Sequence, residues 1–275
     1  MGQDQFKVEQ GVAYTKLTPS VKGFTATKEV SARHPFKIDL VGSTMLTPSV
    51  KQLTFTRSDH LPFVFIPGQF ITFLLPHESG KIVPRSYSLA NSPGDKLEIA
   101  IAPVQGGFAT NILFNLKIGD TLDCVGPKGR LILQAEERPA QYVLVATGTG
   151  VAPYRAMLPT IAKRLEEDDR LKVTLLLGVR YANDLLYAED FIAFAKKYAN
   201  FHFRGYLSRA DEWTAPYHYS GYVQSAFERL DLNPSSDLVY LCGNPYMIDD
   251  SVAKLHTMGF HPQHIRREKY ISRGV

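Results

Sequence analysis

The feature that most limits what this chain can fold into is a change of texture near residue 139. Before it, short β-branched and aromatic runs are divided by turn residues; after it, compact apolar runs alternate with Gly-rich turns and stretches of helical spacing. Between residues 37 and 133 the runs are 51–57, 69–75, 86–90, 97–103, 121–125 and 131–133. The turns between them include Pro67-Gly68, Ser92-Pro93-Gly94-Asp95, Ile118-Gly119-Asp120 and Gly126-Pro127. Short strands at such spacing pair antiparallel and close into a barrel. Past 139, residues 142–146 and 172–177 read as strands buried on both faces, and 151–165 and 184–198 as helices. Further strands are expected at 201–207 and 238–241, and further helices at 222–230 and 245–258. Alternation of this kind builds βαβ units and a parallel sheet covered on both faces. The sequence thus predicts an antiparallel β-barrel domain over 1–138, preceded within it by a weakly patterned extension over 1–34, and a parallel-sheet α/β domain over 139–275.

Composition narrows the functions open to such a chain. No apolar run approaches the roughly 20 residues of a spanning helix, so no membrane insertion is expected. The first nine residues carry Asp4 and Glu9 without an apolar core, which leads us to expect a cytoplasmic protein. Cys124 and Cys242 are the only cysteines, too few for a disulfide framework or a four-thiolate iron-sulfur cluster built from this chain alone. A net charge of +4, with no basic block beyond Arg266-Arg267, argues against nucleic acid as partner and for at most a mild preference for an acidic protein. No residue cluster points to a metal, and the chain is expected to be a monomer.

Three segments have the makings of phosphate sites. Gly148-Thr149-Gly150-Val151-Ala152-Pro153 follows the strand 142–146 and opens a helix, offering backbone N–H donors and close approach to a pyrophosphate; a tight strand-to-helix turn uses the same residues. Pro153 stands where the common dinucleotide fingerprint has its third glycine. Arg85-Ser86-Tyr87-Ser88 combines a guanidinium fork, an aromatic face and small hydroxyls, a set suited to a flavin with its phosphate and ribityl chain, or to a solvated strand edge. Gly106-Gly107-Phe108-Ala109-Thr110 precedes an amphipathic stretch, 111–116, where a helix with Thr110 near its start would receive a second phosphate; a hairpin loop before a capped helix reads equally well.

Arg85-Ser86-Tyr87-Ser88, Gly107 to Thr110, Gly148 to Pro153 and Cys242-Gly243-Asn244-Pro245-Tyr246-Met247 stand in the order and spacing that resemble the ferredoxin-NADP reductase family, over roughly residues 37–270. That resemblance implies a flavin-binding β-barrel loaded with FAD, a nucleotide-binding domain for NADP, and cofactors that meet in the cleft between. By motif, Arg85 would hold the flavin pyrophosphate with Ser86 beside it, Tyr87 would pack on the flavin, Ser88 would sit near its N5 atom, and Gly106, Gly107 and Thr110 would complete the FAD phosphate site. Gly148, Thr149, Gly150 and Pro153 match the nucleotide pyrophosphate loop, and Cys242, Gly243, Asn244 and Pro245 the segment bordering the nicotinamide. Composition alone reads Cys242 as a buried structural thiol. Ser208-Arg209 resembles the pair gripping a 2′-phosphate, with Arg180 a second cation and Tyr222 with Gln224 the adenine platform; Asp211 and Glu212 nearby would repel that phosphate. Glu268-Lys269-Tyr270 resembles the family's acidic-x-aromatic ending, in which Tyr270 would cover the flavin and Glu268 serve N5. Here five residues follow Tyr270, a departure from the plant-type pattern, and an edge strand with a charged rim is the plainer reading.

The activity so implied is hydride exchange between nicotinamide and flavin, followed by single-electron transfer to a separate ferredoxin or flavodoxin. Its rivals are the reductase component of an oxygenase system, a free-flavin reductase, and a regulatory subunit that binds flavin or nucleotide without turnover.

Overall fold

In the segment Lys51–Arg57, Leu53 and Phe55 are fully buried while the intervening Thr54 and Thr56 are not, the period-two pattern of a strand with one face in a core. The computed structural model describes residues 34–210 and 214–270. Six strands of this kind form the first sheet: β1 (Phe36–Met45), β2 (Lys51–Arg57), β3 (Phe70–Pro76), β4 (Ile82–Ser88), β5 (Leu97–Ile101) and β6 (Thr121–Lys128). They are antiparallel in the order β4-β3-β6-β1-β2-β5. The two ends of that order meet just past β4, where Leu89 bridges Ile99 and the Ala90 amide donates to the Glu98 carbonyl at 2.8 Å, closing the barrel. Ile38, Leu40, Leu53, Phe55, Ile71 and Phe73 fill its interior without measurable exposure, each contributing about 1.5–3 kcal/mol by leaving water. Helix α1 (Phe108–Asn115) sets Ala109 and Leu113 against the same core.

The second sheet is wholly parallel. It comprises β7 (Gln141–Thr147), β8 (Lys172–Val179), β9 (Phe201–Leu207), β10 (His218–Ser220), β11 (Leu238–Gly243) and β12 (Ile265–Lys269), in the order β10-β9-β8-β7-β11-β12. Alternate residues of β7 serve opposite faces. Tyr142, Leu144 and Ala146 pack with helices α2 (Ala152–Glu167) and α3 (Ala188–Lys197), whereas Val143 and Val145 pack with helix α4 (Pro245–Thr257). Both faces are therefore dry, which is why these strands read as unbroken apolar runs.

The first of those cores does not stop at the sheet. Val50, Ala90, Ala100, Leu131 and Leu133 from the barrel side are buried in one cluster with Leu144, Tyr154 and Met157. The connecting segment is pinned at Glu137, whose carboxylate accepts from the Tyr240 hydroxyl at 2.8 Å and from Arg266 at 2.7 Å. Arg164 donates to the Gln134 carbonyl at 2.5 Å and to the Tyr142 hydroxyl.

Several sequence expectations are corrected. Residues 131–133 form no strand; Leu131 and Leu133 are apolar because they cover the helical domain. Residues 222–230 hold only a short 3-10 turn, Val223–Ala226. The strand expected at 86–90 begins at Ile82 instead, and takes in Pro84, tolerated because β4 pairs on one side only. The helix expected at 111–116 begins at Phe108, so Thr110 lies inside its first turn. β1 went unforeseen as a separate strand because its outer end is exposed and mixed, with Val41 and Met45 both facing solvent. Asp211, Glu212 and the residues after Tyr270 lie outside the described residues, as does the N-terminal extension up to residue 33.

Candidate active site

Strand β4 brings the Arg85–Ser88 motif to the barrel's closing edge. Arg85 and Tyr87 stand opposite Phe73 and Ile71 and so share one face, while Ser86 and Ser88 share the other. Tyr87 packs edge-on against Phe73, with ring centres 5.6 Å apart. Burial lifts its phenol to about 12, partly offset by the Arg85 charge. Ser86 is held by Thr72, oxygen to oxygen at 2.9 Å. Arg85 donates to the Pro84 carbonyl at 2.9 Å.

Close by in the barrel, α1 starts from Gly107 with no side chain capping its first amides. A groove of about 400 Å³ opens there, lined by Gly106, Gly107, Thr110 and Asn111 among others. Gly106 has a φ of +68° and open space where a Cβ would stand; a Cβ on Gly107 would meet the Thr110 hydroxyl at 2.6 Å. The Thr110 hydroxyl itself donates back to the Gly107 carbonyl at 3.1 Å, so it shapes the turn that presents the amides. Uncapped amides, a helix dipole and glycines in front of them suit an anion.

On the other side of the junction, β7 runs into a 3-10 turn, Gly148–Val151, and then α2 with Pro153 at its second position. Gly148 has a φ of +52° and faces open space, where a phosphate has room to approach. Gly150 is a glycine for another reason: a Cβ would lie 2.4 Å from the Cys242 carbonyl oxygen, so the turn packs directly on the end of β11. Gly243, with a φ of +121°, would drive a Cβ to 2.6 Å from the Thr147 hydroxyl. That hydroxyl accepts the Asn244 amide at 2.9 Å, and the Asn244 side chain caps α4 by accepting from the Tyr246 amide at 2.8 Å. Thr149 contributes its carbonyl to the Ala152 amide.

Barrel and sheet meet at Ser88. Its hydroxyl donates to Glu268 Oε1 at 3.1 Å and accepts from the Tyr270 hydroxyl at 2.7 Å. Glu268 is the register partner of Cys242 across β11 and β12, and the Tyr270 amide donates to the Gly243 carbonyl at 2.8 Å. The edge strand foreseen as the plain reading of this ending exists, and it delivers Glu268 and Tyr270 to Ser88. Burial raises the Glu268 carboxyl above its ordinary range, with the Ser88 hydrogen bond opposing. Burial likewise pushes the Cys242 thiol well up, with Glu268 adding to the effect, and holds the Tyr270 phenol protonated. Four polar groups are thus gathered in one largely water-free spot, joined by a hydroxyl chain from Tyr270 through Ser88 to a carboxyl.

At the carboxyl ends of β8 and β9, the Arg209 amide donates to the Arg180 carbonyl at 3.0 Å, and the Ser208 hydroxyl to the Val179 carbonyl at 3.2 Å. Both arginines are exposed there. Tyr222 leaves 70% of its surface open, and the Gln224 side-chain oxygen Oε1 is buried with no hydrogen-bond partner among the described residues.

Sequence reasoning missed Arg155, Glu98 and Asp190, which join α2 to the barrel and to α3. A signal was present: Arg155 places a positive charge in the first turn of a helix, where the dipole disfavours it. Thr147, directly before the glycine turn, was also passed over.

An antiparallel barrel with a glycine turn before α1, a parallel sheet with a second glycine turn before α2, and a buried polar cluster where they meet make up the frame of a two-domain flavin and nicotinamide oxidoreductase. Residues 37–132 match the model of the oxidoreductase FAD-binding domain, and residues 144–253 that of the oxidoreductase NAD-binding domain. The chain is 32% identical over 247 residues to ferredoxin–NADP reductase B of Sorangium cellulosum, covering 86% of this chain and 98% of that protein. It is 31% identical to the toluate 1,2-dioxygenase electron transfer component of Pseudomonas putida, over 75% of this chain but only 59% of that longer protein. In structure it is similar to a ferredoxin NADP+ reductase of Neisseria gonorrhoeae solved with FAD and NADP, at a TM-score of 0.74 and 22% identity, covering 88% of this chain and 99% of that one. The chain belongs to the ferredoxin-NADP reductase family, with FAD-binding and NAD(P)-binding domains. Among the described residues no helix is long and apolar enough to cross a membrane.

Proposed function

We propose that the chain exchanges hydride with NADP(H) at a resident FAD and passes single electrons to a separate ferredoxin or flavodoxin. The observation that carries this reading is the Ser88–Glu268–Tyr270 chain of hydrogen bonds, which ties the barrel motif to the last strand of the nucleotide domain beside Cys242. When bound, the flavin supplies the two-electron to one-electron conversion. The protein's residues bind, orient and exclude water. Arg85 and the uncapped first amides of α1, behind the Gly106-Gly107 turn, would hold the flavin phosphates, with Ser86 and Thr110 shaping their surroundings and Tyr87 offering its ring to the flavin. Gly148, Thr149 and Pro153 receive the nucleotide pyrophosphate, and Gly150 and Gly243 let that turn sit on β11. Asn244 and Pro245 start α4 at the end of β11, where with Cys242 they would border the nicotinamide. Tyr270 would cover the flavin, and Ser88 with Glu268 would hold or move a proton at its N5 atom.

Arg180, Ser208 and Arg209 favour a 2′-phosphate, hence NADPH over NADH, while Tyr222 and Gln224 receive the adenine. One relative supports a second reading. The similarity to the toluate dioxygenase component supports an NAD(P)H-dependent reductase component of an oxygenase system, delivering electrons to a separate redox partner. Stopped-flow reduction of the bound flavin by NADPH and by NADH, followed by transfer to ferredoxin, flavodoxin or ferricyanide, tests both. Faster reduction by NADPH supports the first reading; preference for NADH overturns it. Purified protein that carries no flavin and uses added flavin as substrate would indicate a free-flavin reductase, and absence of any turnover a binding subunit.

A further inference from the structure

Arg155 makes polar contacts with three separate segments. Its Nε donates to Asp190 of α3 at 2.6 Å, and its Nη1 to Glu98 of β5 at 2.7 Å and to the Ala90 carbonyl at 3.1 Å. The guanidinium also stacks on Tyr187, 4.4 Å from the ring centre. The Tyr187 hydroxyl reaches into the barrel in turn, donating to Gln52 of β2 at 3.0 Å. Tyr187 adopts the left-handed backbone conformation, φ 58°, which for a bulky residue costs about 1–2 kcal/mol and is maintained by its surroundings. The local demands of α2 do not account for the arginine. It lies in the first turn, where the helix dipole opposes a positive charge, and it caps nothing.

Its position in the chain gives it meaning. Arg155 is two residues past Pro153 of the nucleotide turn. It grips Ala90 and Glu98, the pair that closes the barrel, and Ala90 is two residues past Ser88. One side chain, held at its planar end by Glu98, Asp190 and the Ala90 carbonyl, thus spans from the start of α2 to just past the flavin-side motif. Arg155 and Glu98 are partly buried, with side-chain exposures of 25% and 20%, so this pair is stronger than a surface ion pair, whereas Asp190 is 45% exposed and adds less. A planar fork fixes angle as well as distance, which a lysine ammonium does not.

We infer that Arg155 is a positioning residue: with Glu98 and Asp190 it clamps the nucleotide turn to the barrel and so sets the separation at which hydride passes. The inference rests on the proposed flavin and nicotinamide reaction, and it assigns Arg155 no contact with either cofactor. The test uses the full-length FAD-loaded protein, Arg155→Ala and the double variant Glu98→Gln with Asp190→Asn. Flavin content and NADPH affinity are expected to stay within about twofold of wild type, while the limiting rate of flavin reduction falls about 10- to 100-fold, the scale of a sub-ångström to 1 Å displacement of reacting atoms. Hydrogen exchange, measured without nucleotide, is expected to speed up at the Leu89, Ala90 and Phe191 amides. Unchanged limiting rates and unchanged exchange in both variants would overturn the clamp, as would a loss confined to nucleotide affinity. Should Arg155→Ala fail to fold, the double variant carries the same decision. Should wild-type protein not reduce its flavin with either nicotinamide, the proposed function falls, while the exchange measurement still decides whether Arg155 holds the two halves together.

Discussion

Ser88 and Glu268, 180 positions apart in the chain, lie 3.1 Å apart, and the Tyr270 hydroxyl completes the line at 2.7 Å from Ser88. Ser88→Ala breaks this line in the middle and leaves a carboxyl and a phenol facing an apolar methyl. The limiting rate of flavin reduction is expected to fall about 10- to 100-fold, the equivalent of one hydrogen bond to a charged group, with nucleotide affinity retained. Stopped-flow kinetics at saturating NADPH reads both quantities.

Glu268 also leaves a signature in stability. Burial raises its folded-state pKa above the ordinary value of 4.5, so between those two values the folded protein binds more protons than the unfolded chain. Stability therefore declines as pH climbs through that window and stays lower above it. Glu268→Gln removes the penalty. Its melting temperature should match wild type at low pH and exceed it above the window, measured by calorimetry across pH 4 to 8.

Arg209→Ala should weaken NADPH by about 10- to 100-fold and NADH far less, because only the former carries the phosphate that a guanidinium fork would bind. Arg180→Ala should act in the same direction. Equal losses for both nucleotides would remove Arg209 from the role of selecting between them.

The two glycines of one turn should separate function from folding. A Cβ at Gly150 would lie 2.4 Å from the Cys242 carbonyl oxygen, so Gly150→Ala should destabilise the protein by about 1–3 kcal/mol or more. Gly148 faces open space, and Gly148→Ala should fold with a modest backbone cost of about 1 kcal/mol yet bind nucleotide less tightly. Denaturant melts and nucleotide titration together decide this.

Neither cysteine should react while the protein is folded. Burial lifts Cys124 to about 12 and Cys242 well above the usual thiol range, leaving almost no thiolate at pH 8. Mass spectrometry after iodoacetamide should find both thiols free in native protein and both alkylated after denaturation.

How far the sequence carried is clear from particular residues. The parallel sheet was legible because β7 and β8 are buried on both faces and keep unbroken apolar runs. The Arg85–Ser88 and Gly148–Pro153 motifs were legible because short-range turn and strand chemistry fixes their residue types. Leu131 and Leu133 misled, since an apolar pair that covers a neighbouring domain has the same local pattern as a strand. Residues 222–230 misled in the opposite sense, because Val223, Ala226 and Phe227 pack under the sheet from a turn too short to be an α-helix. Arg155 carried one local sign, a positive charge in the first turn of a helix, but its partners Glu98 and Asp190 lie 57 and 35 residues away, and that sign does not tell which carboxylates topology brings to it.

The buried cluster that runs from Val50, Leu131 and Leu133 into Leu144, Tyr154 and Met157 bears on engineering. A chimaera that grafts the nucleotide half of a relative onto this barrel inherits a mismatched apolar surface unless those six side chains are transplanted as a matched set. Recombination within this family should therefore succeed when crossover points keep both sides of that seam from one parent, and give aggregating protein when they do not.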